Sequence, residues 1–221
     1  DVLVEQLEFA AIENADMLLT RDSTKLLIES VQKSSPTVVE ELIPNLLSIS
    51  QVQQVLKSLV NEGISIRPLS LILETLGDHA AETKFIWRLT EQVRNRLAHH
   101  IAAGLSDSNR TPISIFTLSS ELQHRLACSW DDSNGEIRLN LPSTVRESLA
   151  SSINEMAEQM IVTGLRPIAM VEQSIRPVVA QLCRDNRTAV FVLGSKEAES
   201  AEINFVGEIK SADLQTLASA A

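Results

Sequence analysis

The sequence contains no tyrosine, and its five phenylalanines and two tryptophans amount to only 3% of the residues. A core of ordinary size must then be built from Leu, Ile, Val and Ala, which favours helices packed through aliphatic ridges. The same shortage removes the aromatic platform on which single-stranded nucleic acids stack. Seven glycines leave little material for a phosphate-cradling loop, and there is no Walker loop, Rossmann glycine pattern or nucleophile elbow. Two cysteines, Cys128 and Cys183, do not make a disulfide framework, so a reducing compartment is expected. No apolar run approaches the roughly 18 residues that cross a bilayer, and no signal peptide is visible. The chain starts at Asp1, already inside a helical pattern. It therefore reads as a fragment, and the missing spans do not exclude a membrane-embedded parent.

What is present is ordinary for a globular protein: 221 residues, 44% hydrophobic and 22% charged. That length suits one large or two small domains. The formal net charge of -10 works against nucleic-acid binding, which rests on Lys and Arg displacing counterions from phosphates. The acid is uneven. Asp1 to Glu82 carries 5 Lys and Arg against 13 Asp and Glu, whereas Thr83 to Ala221 carries 14 against 16. A boundary near residue 83 is expected, and a basic partner should prefer the first part.

The first part reads as all helix. Val4, Leu7, Ala11 and Ala15 are at helical spacing, and Thr20 to Ser23 offers N-caps for a helix with Leu26, Leu27 and Val31. Ser35-Pro36 restarts a helix that should end near Pro44. Ser50 and Gln53 are spaced as a capping box, followed by the stripe Val52, Val55, Leu56, Leu59 and Val60. Gly63 suits the C′ position, and Pro68 opens a helix whose Leu69, Ile72, Leu73 and Leu76 face inward. From Thr83, Phe85, Leu89, Val93, Leu97 and Ile101 step by four along one long helix. Strands and helices then alternate. Strands are expected at Ile113–Leu118, around Ile137 to Leu141, and at 168–171, 189–193 and 203–209. The helices between them carry Leu122, Leu126 and Trp130, then Val145 to Met160, then Ile175 to Leu182. The fold class is α+β: an all-helical part followed by an α/β part with a small mixed sheet.

Chemistry is sparse. His124 and Cys128 could face one metal from a single helix, but two ligands do not make a site. The adjacent His99-His100 pair diverges on a helix. No metal or cofactor is expected. Glu40-Glu41 is a carboxylate pair that adjacent helical positions splay apart, which fits a solvated acidic face. Arg67 stands just before a helix start, where a cation opposes the helix dipole. It either pairs with Glu74, meets an acid on another copy, or is a plain surface residue. No convergent polar set marks an enzyme site, so the rival classes are an interaction module, an enzyme built on the α/β part, and an acidic docking domain for an unrelated basic partner.

The stretch Ser35-Pro-Thr-Val-Val-Glu-Glu-Leu-Ile-Pro-Asn-Leu-Leu-Ser-Ile-Ser-Gln-Val-Gln-Gln-Val-Leu, then Gly63-Ile-Ser-Ile-Arg-Pro-Leu and Ile72-Leu-Glu-Thr-Leu, resembles the cytoplasmic domain of bacterial type III export gate proteins, the FlhA/SctV family. Leu89-Thr-Glu-Gln-Val-Arg-Asn-Arg-Leu, Ile175-Arg-Pro-Val-Val and Gly207-Glu-Ile resemble later parts of the same domain. The resemblance implies residues 1–20 as the end of a linking helix, 21–82 as a helical subdomain and 83–221 as an α/β subdomain. It implies a non-enzymatic part of a membrane protein at the cytoplasmic face of the bacterial inner membrane. Copies would form a nonameric ring that receives export substrates, chaperones and components of the export ATPase complex. Arg67, Glu74, Glu40 and Glu41 are the candidate ring or partner contacts. The Val-Glu-Glu-Leu-Ile-Pro run resembles the flagellar branch more than the injectisome branch, whereas Thr111 to Trp130 follows no flagellar pattern.

Overall fold

The computed structural model describes residues 19–106 and 111–211. The helix read over residues 1–20 lies almost wholly outside the described residues, as does the tail beyond Ser211. The chain divides into two compact units between Leu97 and Ala98.

In the first unit, α1 (Arg21–Ser34) is capped by Thr20, whose Oγ1 accepts from the Ser23 amide. Pro36 opens α2 (Pro36–Leu42) in the first turn, where its missing N–H is harmless. Next comes α3 (Ile49–Asn61), followed by α4 (Leu69–His79) and α5 (Ile86–Arg96). The stripe on α3 is buried at Val52, Val55, Leu56 and Leu59, as are Leu73 and Leu76 of α4 and Leu89 and Val93 of α5. Gly63 has φ 72°. There the Gly63 amide donates to Val60 and the Ile64 amide to Leu59, both at 2.9 Å. This is the Schellman arrangement, and it needs a left-handed residue at C′.

Three expectations change. The capping box is Ser48 with Gln51: the Ser48 amide donates to Gln51 Oε1 at 2.9 Å, and the Gln51 amide to Ser48 Oγ at 3.3 Å. Ser50 lies inside the first turn, past the capping position, and Gln53 instead donates to the Leu19 carbonyl. The long helix through Phe85 to Ile101 is two helices, because α5 ends at Arg96 and α6 (Ala98–Leu105) follows after a turn at Leu97. The charge break near residue 83 also differs from the division of the fold. α5 packs on α3 and α4, since it buries Leu89 and Val93 there. Composition follows the solvated surface, whereas a compact unit follows the buried stripe.

The second unit holds α6, β1 (Ile113–Leu118), α7 (Ser120–Cys128), β2 (Trp130–Asp131), β3 (Arg138–Leu139), α8 (Ser143–Val162), β4 (Ile168–Val171), α9 (Arg176–Asp185), β5 (Phe191–Gly194) and β6 (Ile203–Ile209). A 3₁₀ turn, Ser195–Ala198, follows β5 and packs on α6. The strands resolve into a parallel sheet of order β5-β4-β1-β6 and a separate antiparallel pair, β2 with β3. Trp130, expected to end a helix, pairs with Leu139 in that ladder, because α7 stops at Cys128. Phe116, Leu149, Ile153, Val171 and Val179 share one core between the sheet and α7, α8 and α9. A Cβ at Gly207 would meet Met156 Sδ at 2.8 Å, so glycine lets α8 lie close to β6. Register shifts between Ile115 and Phe116, leaving Val206 as an extra residue on the edge strand β6. Such a bulge blunts an edge against pairing with other chains.

Removing the true cap should cost more than removing the apparent one. Ser48→Ala is expected to lose about 1 kcal/mol in urea unfolding and Ser50→Ala only a few tenths. Equal losses would place the helix start wrongly.

Candidate interaction surface

The first unit's surface is arranged by what lies beneath it. After the turn at Gly63, Ile64 is buried and the chain runs to Pro68, the N-cap of α4. Pro68 offers no side-chain cap, and the amide of Arg67 donates to Ser65 Oγ at 3.3 Å. Arg67 is exposed at this helix start. Glu74, further along α4, is exposed between buried Leu73 and Thr75. Arg67 and Glu74 form no ion pair with each other among the described residues. Glu40 and Glu41 stand exposed between buried Val39 and Leu42 in the last turn of α2. A carboxylate there opposes the helix dipole, as a cation does at Arg67.

The structure thus keeps all four candidates on the surface of one unit. It also buries charges that residue type alone hides. Arg94 has a side chain 1% exposed, and its Nη1 donates to Glu62 Oε2 across 2.5 Å. Glu62 is the C-cap of α3. Leu89, Thr90, Val93 and Arg94 are the buried face of α5, so the i, i+1, i+4, i+5 spacing was the signal that Arg94 points inward. In the second unit Arg176 and Glu197 are buried, and Glu197 Oε2 accepts from the Gly194 amide at 2.8 Å.

The charge asymmetry also sharpens. Asp1 to Leu18 holds five acids and no base, whereas residues 19–97 hold nine of each. Five of the eight net negative charges assigned to the first part therefore lie outside its described residues.

The second unit gathers little chemistry. A hollow of about 470 Å³ is lined by Arg138, Arg146, Glu147 and Asp185, with Ile137 and Leu182 beside them. Its lining has no His, Cys or Lys. His124 Nε2 and Cys128 Sγ lie 3.8 Å apart on the exposed side of α7. Among the described residues no three His, Cys, Asp or Glu converge on one point. The rings of His99 and His100 meet edge to face, 6.5 Å between centroids, on exposed positions. Hydrogen bonds from Asn140 and then Ser133 hold the Asp131 carboxyl below its usual range, which orders the β2–β3 turn. Burial pushes the Cys183 thiol up to about 12, with Arg184 pulling weakly the other way. No described helix is long and apolar enough to cross a membrane.

A helical unit followed by a small parallel-sheet unit is also the architecture of several solved domains. The Shigella flexneri MxiA protein is 26% identical with a TM-score of 0.79, over 95% of this chain and 65% of that one. The C-terminal domain of InvA is 19% identical with a TM-score of 0.84, over 95% and 63%. Nonameric EPEC SctV-C is 23% identical with a TM-score of 0.77, over 95% and 63%. At those last two identities the likeness is one of fold. The FHIPEP family profile matches residues 1–202, and the chain belongs to the FHIPEP family. Flagellar biosynthesis protein FlhA of Bacillus subtilis (strain 168) is 31% identical over 198 residues, covering 89% of this chain and 29% of that protein. The FlhA of Caulobacter vibrioides is 29% identical over 197 residues, covering 89% and 28%. The chain thus spans less than a third of the length of these relatives.

Two outcomes check this description. Glu62→Ala leaves the Arg94 guanidinium buried without its carboxylate and is expected to destabilise the helical unit by about 3–5 kcal/mol in urea. In the native protein at pH 8, Ellman's reagent should modify Cys128 and spare Cys183. Both thiols should react in urea.

Proposed function

We propose that this chain is a cytoplasmic part of the membrane export gate of a type III protein export apparatus, in its flagellar branch. In this reading it is a non-enzymatic platform at the inner face of the bacterial inner membrane. Copies assemble into a ring that receives export substrates, their chaperones and components of the export ATPase complex. The observation that carries the reading is membership of the FHIPEP family across residues 1–202. The FlhA relatives support the flagellar branch. The injectisome branch is the second reading, favoured by the fold shared with MxiA and with nonameric SctV-C.

Within the ring, Arg67, Glu74, Glu40 and Glu41 are the proposed contacts. Each is exposed. Arg67 and the Glu40-Glu41 pair also stand where the local helix dipole disfavours their charge. An opposite charge from a neighbouring copy relieves both placements at once. Ion pairs of this exposed kind each contribute about 0–1 kcal/mol, so they orient a contact more than they drive it.

The test is sedimentation of the parent protein's whole cytoplasmic region. Arg67→Glu is expected to lower self-association several-fold without changing the melting temperature. Unchanged assembly would remove Arg67 from the contact. Motility assays in a strain carrying the gene separate the two branches: loss of flagella on deletion supports the flagellar one, and intact motility with lost effector secretion supports the other.

A further inference from the structure

Helix α7 carries two transition-metal donors on its exposed side. His124 and Cys128 stand one turn apart towards its C-terminus, and both are exposed. His124 Nε2 and Cys128 Sγ lie 3.8 Å apart. A tetrahedral zinc with Zn–S of about 2.3 Å and Zn–N of about 2.0–2.1 Å holds such a sulfur and nitrogen about 3.6 Å apart. The pair is therefore already spaced close to two corners of that polyhedron. Thiolate with imidazole selects zinc and its transition-metal neighbours over calcium and magnesium, which take oxygen ligands.

The surroundings favour a cation on separate grounds. Cys128 is the last residue of α7, where the helix carries its negative pole. Ser119 to Ser133 holds Glu121, Asp131 and Asp132 against the single permanent cation Arg125. One copy does not complete the site, however. A closed zinc site needs four ligands, and among the described residues no third His, Cys, Asp or Glu converges with these two. The simplest complement is the same pair again. Two copies about a two-fold axis present two sulfurs and two nitrogens, one of the usual sets of structural zinc sites. Because both side chains are exposed, a second α7 can approach without opening the core.

We propose that His124 and Cys128 are half of a zinc site completed by the same two residues of a second copy of this chain. As each Zn–S bond forms, the Cys128 thiol loses its proton to solvent, so one zinc releases a proton from each chain. Each His124 gives its Nε2 lone pair and keeps its proton on Nδ1. The pair of thiolates then balances the charge of the zinc. This clasp lies in the second unit, apart from Arg67, Glu74, Glu40 and Glu41, and does not rest on the ring reading.

Zinc titrated into the reduced whole cytoplasmic region, followed by sedimentation velocity, tests it. One zinc per pair of chains is expected, with self-association at least tenfold tighter than in EDTA. His124→Ala and Cys128→Ser should each abolish that increment and leave the assembly in EDTA and the melting temperature as in wild type. Cobalt(II) in place of zinc should show thiolate-to-metal charge transfer in wild type and lose it in Cys128→Ser. Ellman's reagent should reach Cys128 in EDTA and be blocked in zinc. Zinc bound to single chains without tighter association, zinc-tightened association that survives both substitutions, or no uptake at micromolar zinc would each overturn the site. None of these outcomes touches the ring reading, which Arg67→Glu tests in EDTA.

Discussion

The guanidinium of Arg94, buried against Glu62, is the constraint on which the helical unit turns. Burying an unpaired cation costs several kcal/mol, more than most single interactions in a domain supply. α5 seats its inner face where the C-terminus of α3 presents the Glu62 carboxylate. That end carries the negative pole of the α3 dipole, which also favours a cation. Glu62 is the C-cap, and Gly63 follows in the left-handed conformation that turns the chain away. One short segment therefore sets where α5 docks, sends Ile64 into the core and brings Arg67 to the surface.

The second unit reaches order by a different route. Its sheet is parallel throughout, so each neighbouring strand requires a crossover and no hairpin fixes register. Side chains tie the strand ends together instead. Gln123, on α7, donates to the Leu118 carbonyl and accepts from the Glu172 amide, both at 2.8 Å. It thereby joins the C-terminal ends of β1 and β4. The buried Glu197 holds the Gly194 amide at the end of β5. These polar groups are engaged in fixing strand ends, which suits a rigid scaffold.

Much of this was legible from residues. Strands 113–118, 168–171 and 203–209 have the bounds their apolar runs suggest, because turn and polar residues close each run. The stripe on α3 and the C′ role of Gly63 follow from the same local logic. What escaped was non-local. The step of four from Phe85 to Ile101 runs straight through the break at Leu97, so periodicity alone cannot show that two helices are present. Nor can it show that Phe85 faces solvent. Arg94 reads as a surface residue until Glu62, 32 positions earlier, is placed beside it. Trp130 belongs to a strand only because Leu139 lies opposite. For the candidate contacts, exposure could be read from the flanking buried positions, but what meets them could not, since a contact between copies leaves no pattern within one chain.

Magnitudes decide how such a surface can work. Arg67 at a helix start and Glu40 and Glu41 at a helix end each cost an isolated copy about 0.3–1 kcal/mol through the dipoles they oppose. Pairing them across copies relieves that cost and adds at most about 1 kcal/mol per exposed pair, less as salt screens it. A stable interface must offset several kcal/mol of lost translational and rotational freedom. Charges alone fall short, so apolar area has to supply the difference at about 25 cal/mol per Å². Among the described residues of this unit, Leu, Ile and Val are mostly committed to the core, and the large exposed apolar groups are Leu26 and Phe85. Of these, Phe85 has a stacked cation beside it. In the proposed contact, apolar area would supply the strength and the charges the direction, since complementary charge fixes orientation and register more than raw affinity.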